Sequence, residues 1–223
     1  MGADYAKLWG AHGDFMHFPG EPAPLLSDFY RRRFRPPAVL EIGCGTGRNL
    51  AWFASQGWEV FGIDVSAGDL ETARVQMVVS GAKGSLILGD CTKELPVRDA
   101  SMMAVLDCST IQHLLAEGRE AVAKEVGRVL MPRGWLLSLC EGWQEGIKGT
   151  ETEHGTFADF PEGTPWFQYP PTHFFKEEEL RVLWEVVAGL KIERLAGDRY
   201  PARPGMRERW VVEALKPRRE SGT

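Results

Sequence analysis

Glu41, Gly43, Gly45 and Gly47 stand at alternate positions where an apolar run, Ala38 to Ile42, gives way to Arg48, Asn49, Leu50, Ala51, Trp52 and Phe53. Glycines placed in this way let a backbone adopt unusual dihedrals, or let a ligand lie where a Cβ would not fit. A carboxylate directly ahead of them repels a phosphate and attracts a cation. The chemistry these residues suggest is the holding of a partly cationic small molecule against the main chain. The dinucleotide fingerprint G-x-G-x-x-G would place a third glycine at position 48, where this chain has Arg48, so a pyrophosphate ligand is disfavoured. A glycine-rich turn without a ligand is the alternative. Asp64 follows Gly43 by about twenty residues, the distance at which the acid of a βαβ unit meets a ribose. A carboxylate there can accept hydrogen bonds from both hydroxyls of a diol.

The elements that must position these residues follow from the pattern around them. The apolar run, the glycines and the segment after them read as a strand, a tight turn and a helix. Residues 58–64 read as a second buried strand, Ser66 as a helix N-cap, and Leu70, Ala73, Arg74, Met77 and Val78 as a helix at spacing three to four. Residues 85–89 form a third strand that leads into Asp90 and Cys91, and residues 104–107 form a fourth that ends on Asp107. A helix over 120–130 stops before Pro132, Arg133 and Gly134, and a fifth strand occupies 135–140. A further helix is expected over 176–184, with strands over 190–195 and 209–215 joined by a hairpin-like link. Such alternation predicts an α/β fold, a doubly wound and mostly parallel sheet with right-handed crossovers.

With its acid and three glycines, its acid after the second strand and its Gly89-Asp90 after the third, the chain resembles the class I S-adenosylmethionine-dependent methyltransferases. The resemblance covers residues 37–139 well and the remainder in outline. It implies a Rossmann-like methyltransferase fold of seven strands with the last antiparallel, and S-adenosyl-L-methionine as cofactor. It also implies that Glu41, Gly43, Gly45 and Gly47, with Cys44 between them, hold the methionine end. Asp64 would then bind the ribose, with Val65 beside the adenine, and Asp90 would accept from the adenine amino group, with Cys91 next to it. Asp107, with Cys108 and Ser109, would sit near the sulfonium. The signature Asn-Pro-Pro-Tyr or Asp-Pro-Pro-Tyr of amino-methylating nucleic-acid enzymes is absent after the fourth strand, where Asp107, Cys108, Ser109 and Thr110 stand.

A net charge of −5 argues against a general nucleic-acid binder, since phosphate contacts call for a basic face. Arg31, Arg32, Arg33 and Arg35 are the local exception, either a solvated helix end or an anion contact. No run of apolar residues is long enough to span a bilayer, and the first residues do not read as a secretory signal. The four cysteines include no C-x-x-C pair, as in a reduced cytoplasmic protein. The expected partners are a small-molecule acceptor, no general nucleic acid and no membrane, with the chain a monomer or homodimer.

The 223 residues read as one domain. An N-terminal cap (1–36) precedes a cofactor-binding core (37–140) and a substrate lid (141–173). A C-terminal helix and hairpin (174–215) and a tail (216–223) follow. The lid is rich in glycine, proline and aromatic residues, leaves the ligand edge of the sheet, and reads either as a pocket wall or as an aromatic flap over the core. The N-terminal aromatics Tyr5, Trp9, Phe15 and Phe18 either close over the cofactor or pack on the sheet edge. In-line methyl transfer needs a base only if the acceptor must lose a proton. His113 is the candidate, or else a packed residue at a helix start; His12, His17, His154 and His173 lie in flanking segments. Cys44, Cys91, Cys108 and Cys140 all fall at strand ends, as small buried hydrophobes or as thiols able to take a metalloid; no resident metal site is expected. A non-catalytic S-adenosylmethionine sensor is the competing function.

Overall fold

The computed structural model describes residues 38–164, 166–201 and 206–218. The N-terminal cap, the Arg31 to Arg35 cluster, His12, His17 and most of the charged tail lie outside them.

β1 (Ala38–Ile42) is buried along its whole length, because β2 (Glu59–Asp64) and β4 (Met102–Cys108) flank it in parallel and helices cover both faces. α1 (Arg48–Ser55) buries Asn49, Leu50 and Phe53. α2 (Ala67–Ser80) starts at Ser66, whose hydroxyl accepts from the Asp69 N–H at 3.2 Å, and ends at Gly81 in the left-handed region. β3 (Lys83–Leu88), α3 (Ala116–Val129), β5 (Leu130–Glu141), β9 (Lys191–Pro201) and β10 (Met206–Leu215) complete the main framework. The sheet has seven strands in the order β3-β2-β1-β4-β5-β10-β9, and β10 runs antiparallel to both neighbours. The order reverses between β1 and β4, which is where ligands bind in doubly wound sheets. One core layer gathers Ile42, Val105, Val126, Trp184 and Val212; the other gathers Val39, Leu50, Phe53, Leu106 and Val211.

Three elements depart from the sequence reading. α3 begins at Ala116 rather than at 120, and it passes directly into β5. β5 starts at Leu130 and carries Pro132 and Arg133 inside a bulge. Its register against β4 slips between Met102 and Ala104, and Arg133 takes φ 68°. The bulge absorbs the breaker, so strand pairing resumes at Trp135. The helix expected over 176–184 is α-helical only as α4 (Glu177–Arg181); Val182–Val187 continue as a π-helical turn.

The segment expected as a substrate lid (141–173) carries regular structure of its own. Three short antiparallel strands, β6 (Thr150–Glu153), β7 (Thr156–Ala158) and β8 (Thr172–His173), form a separate sheet. Phe160, Trp166 and Phe174 pack beside it, the Trp166 and Phe174 rings meeting edge-on with centroids 5.0 Å apart. The Trp143 N–H and the Trp210 indole N–H both donate to the Phe175 carbonyl, at 2.9 and 2.8 Å, and tie the segment to the main sheet.

Candidate functional site

The strand registers align the residues singled out by sequence along one edge of the sheet. Ile42 pairs with Ile63 on one side and Asp107 on the other, while Asp64 pairs with Leu88 and Asp107 with Ser138. Glu41, Asp64, Asp90 and Asp107 are thus collected at the carboxyl ends of four adjacent strands.

Between β1 and α1 the three glycines are needed for three different reasons. All have positive φ: 60° at Gly43, 51° at Gly45 and 76° at Gly47. A Cβ on Gly43 would run into the Thr110 side chain, whose hydroxyl donates to the Ile42 carbonyl at 3.0 Å. One on Gly47 would lie 2.8 Å from Ala73 Cβ, so this glycine lets α1 and α2 approach each other. One on Gly45 would meet nothing within 4 Å. The middle glycine therefore faces open space, as a backbone that receives a ligand must.

Asp64 fastens this turn. Its Oδ2 accepts from the Gly45 N–H and its Oδ1 from the Ser66 N–H, each at 2.8 Å. Burial raises its proton affinity, and these backbone donors oppose the rise. Each carboxylate oxygen retains acceptor capacity beyond one N–H. Val65 follows, half-buried. At Asp90 the Thr92 N–H and hydroxyl both reach Oδ1, at 2.8 and 2.7 Å, in a local turn that presents the other oxygen. Cys91 beside it is buried.

Glu41 lies beneath the turn, 2% exposed. Asn49 Nδ2 donates to Glu41 Oε1 at 2.6 Å, while Glu41 Oε2 and Asn49 Oδ1 are buried without a hydrogen-bond partner. Desolvation pushes the Glu41 carboxyl up to about 8, against the lowering effects of Asn49 and Arg48. Asn49 was not singled out by sequence. Its signal was an amide on the buried face of a helix, which becomes interpretable only once β1 and α1 are in contact.

Asp107 has no exposed surface. Oδ1 accepts from the Thr110 and Ile111 N–H groups at 3.0 and 3.2 Å, and Oδ2 from the Ser138 hydroxyl at 2.6 Å. Its carboxyl is raised to about 6 by burial, with those donors opposing. The side chain organises the turn after β4 at the same edge as Glu41 and Asp64.

His113 sits in the 3₁₀ turn Ile111–His113, 4% exposed. Nδ1 lies 3.1 Å from the Pro171 carbonyl, so that nitrogen carries the proton, and Gln112 Nε2 lies 3.3 Å from Nε2. Gln112 in turn accepts from the Glu141 N–H at 2.9 Å. The imidazole is packed and docks the inserted segment onto the turn after β4. His173 is also buried, between the Thr156 hydroxyl (2.9 Å) and Glu179 (3.2 Å), where it joins β7, β8 and α4. His154 is exposed. Sequence reasoning also missed Gln112 and Glu141, a buried pair whose proximity depends on the order of β4 and β5.

Burial raises all four thiols, Cys91 to about 12, and keeps them protonated. They act as small apolar residues here and are poor thiolate nucleophiles.

Among the described residues the edge offers carboxylates and an open glycine, which fits a ligand with an ammonium and a sulfonium. The fold is that of S-adenosylmethionine-dependent methyltransferases among solved structures. Residues 39–134 match the family model described as a methyltransferase domain. Methyltransferase GfsG of Streptomyces halstedii is 36% identical over 101 residues, 44% of this chain and 35% of GfsG. The 18S rRNA (guanine-N(7))-methyltransferase of Bos taurus is 32% identical over 80 residues, 36% of this chain and 27% of that protein. The chain thus spans only about a third of the length of these curated relatives. Among solved structures, Burkholderia thailandensis 1,6-didemethyltoxoflavin-N1-methyltransferase, with bound S-adenosylhomocysteine, superposes with a TM-score of 0.72. Identity there is 18%, covering 96% of this chain and 86% of that one. Among the described residues no helix is long and apolar enough to cross a membrane.

Proposed function

We propose that this chain transfers a methyl group from S-adenosylmethionine to a small-molecule acceptor. The observation that carries the reading is the open glycine turn, clamped by Asp64 over the buried carboxylate of Glu41. The cofactor supplies a methyl group on a positively charged sulfur, already activated as a leaving group. Glu41 provides the negative charge for the ammonium end. Asp64, anchored by two N–H groups, keeps acceptor capacity for a ribose diol. Asp90 offers Oδ2 to the adenine amino group, with Val65 and Cys91 as apolar walls. Asp107 shapes the turn after β4 and so sets the distance between the two sides of the cleft.

Holding an acceptor in line with the methyl supplies much of the acceleration in such a reaction. The inserted sheet with Trp166, Phe160 and Phe174 is the natural wall for that acceptor, since it continues from β5 at the same edge. The acidic balance of the chain supports a small organic acceptor over RNA, although curated relatives include an rRNA methyltransferase. The test is to incubate the protein with methyl-labelled S-adenosylmethionine and fractionated metabolites, with rRNA alongside. Label is expected in a low-mass fraction. Label in RNA alone would overturn the acceptor class, and binding with no transfer to any fraction would leave a sensor.

A further inference from the structure

Resting on the cofactor reading above, we infer that Asn49 is a positioning residue for cofactor recognition. It orients the Glu41 carboxylate and biases it toward the ionised form that an ammonium group requires. Three observations converge. The Asn49 Nδ2 to Glu41 Oε1 contact, at 2.6 Å, is a short hydrogen bond between the two side chains. Both residues are at least nine-tenths buried, at 5% and 2% exposure, so no solvent substitutes for the contact. Glu41 Oε2 and Asn49 Oδ1 are buried acceptors without donors, an arrangement that is costly in a protein interior unless a donor arrives.

The amide orientation follows from charge. Reversing it would set Oδ1 against the carboxylate oxygen, so Nδ2 faces Glu41 and Oδ1 is the free end. With Oε1 occupied by that donor, Oε2 is the oxygen left for a cation. The pair thus presents one charged and one neutral acceptor, as a multi-donor ammonium prefers. Arg48 at the start of α1 favours the ionised carboxylate, whereas Asp64 at the end of β2 and Asp107 at the end of β4 disfavour it. The thiols of Cys44 and Cys108, held protonated, feel Glu41 and add no charge. Among these neighbours Asn49 is the one that donates a hydrogen bond to the carboxylate.

The test compares two ligands that share the adenosine but differ at the amino-acid end. S-adenosylhomocysteine carries the ammonium; 5′-methylthioadenosine lacks it. In Asn49→Leu, the affinity ratio between the two is expected to fall about tenfold, with 5′-methylthioadenosine binding nearly unchanged. The pH at which S-adenosylhomocysteine binding reaches half its maximum is expected to move upward relative to the wild type. In a Glu41→Gln background the same substitution is expected to change the ratio by less than about twofold, because the carboxylate it positions is gone. Asn49→Ser, smaller and still a donor, covers the case in which leucine disturbs folding, and is expected to retain a ratio between those of the leucine variant and the wild type. Equal weakening of both ligands, or an unshifted pH profile, would reduce Asn49 to a packing role and overturn the inference. Failure of the wild type to bind either ligand would instead overturn the cofactor reading itself.

Discussion

At the glycine turn, main-chain groups do the holding: Gly45 and Ser66 donate to Asp64, and Thr110 and Ile111 donate to Asp107. In the inserted segment, side-chain bodies do it: Phe160, Trp166 and Phe174 pack together, and His113 and His173 pin the strands at two points. The first region is a set of short, directional contacts between residues close to a parallel sheet. The second is an apolar cluster beside strands of two to four residues, closed by long-range contacts. The difference teaches where specificity can vary. A backbone-built turn tolerates little change, whereas a cluster of packed aromatics can be reshaped by substitution without disturbing that turn; under the function proposed above, the cluster is where acceptor specificity would vary.

The strongest way to break this contrast is to remove the clamp. Asp64→Ala deprives two N–H groups of a charged acceptor, and S-adenosylhomocysteine affinity should fall by roughly 100-fold or more, about 3 kcal/mol. Calorimetry that found less than a fivefold loss would mean the turn is held by something else. On the other side, Trp166→Ala should abolish most methyl transfer, since deleting a buried aromatic costs about 3–5 kcal/mol of local packing. Cofactor affinity should stay within about threefold. Equal loss of both would show that the two regions are one cooperative unit.

Glu41→Gln separates stability from function within the cradle. The native carboxyl titrates near 8 against an ordinary value of 4.5, so the folded state binds the extra proton between those limits. Stability from this group is intact below pH 4.5 and declines as pH rises to about 8, where a buried charge must form. The amide removes that penalty, so the melting temperature at pH 9 should rise by a few degrees, about 1–3 kcal/mol. S-adenosylhomocysteine binding should weaken about tenfold in the same variant. For the wild type, the same titration predicts tighter binding as pH rises from 7 to 9, with proton release. Buffer-dependent calorimetric heats measure that release, and their absence would mean Glu41 is already ionised. The smallest effect is expected at His113→Gln, where turnover should change by less than about tenfold, because an amide can still donate to Pro171.

The legibility of the sequence divides along the same line. β1, the three glycines, Asp64 and the Ser66 cap were readable because each is a local device: a buried run, backbone conformations only glycine takes easily, a fixed spacing and a side chain three residues from its donor. The doubly wound, mostly parallel arrangement followed from alternation. The passage of β5 through Pro132 was not readable, because it depends on a register slip against β4. The strands of the insertion are too short to show a period of two, and their threonines look like loop residues. Asn49 and Gln112 acquire meaning only from partners on other elements, Glu41 and Glu141. Asp107 was legible as a strand-end acid, but its hydrogen bonds to its own turn and to Ser138 were not.

The most direct measurement is calorimetric titration of the unmodified protein at pH 8.5 with S-adenosylhomocysteine and, separately, with NAD. The open glycine above Glu41 calls for saturable binding of S-adenosylhomocysteine, on the order of micromolar, and no heat from NAD. Saturable binding of NAD with none of S-adenosylhomocysteine would contradict the reading of this edge as a cradle for a cationic cofactor.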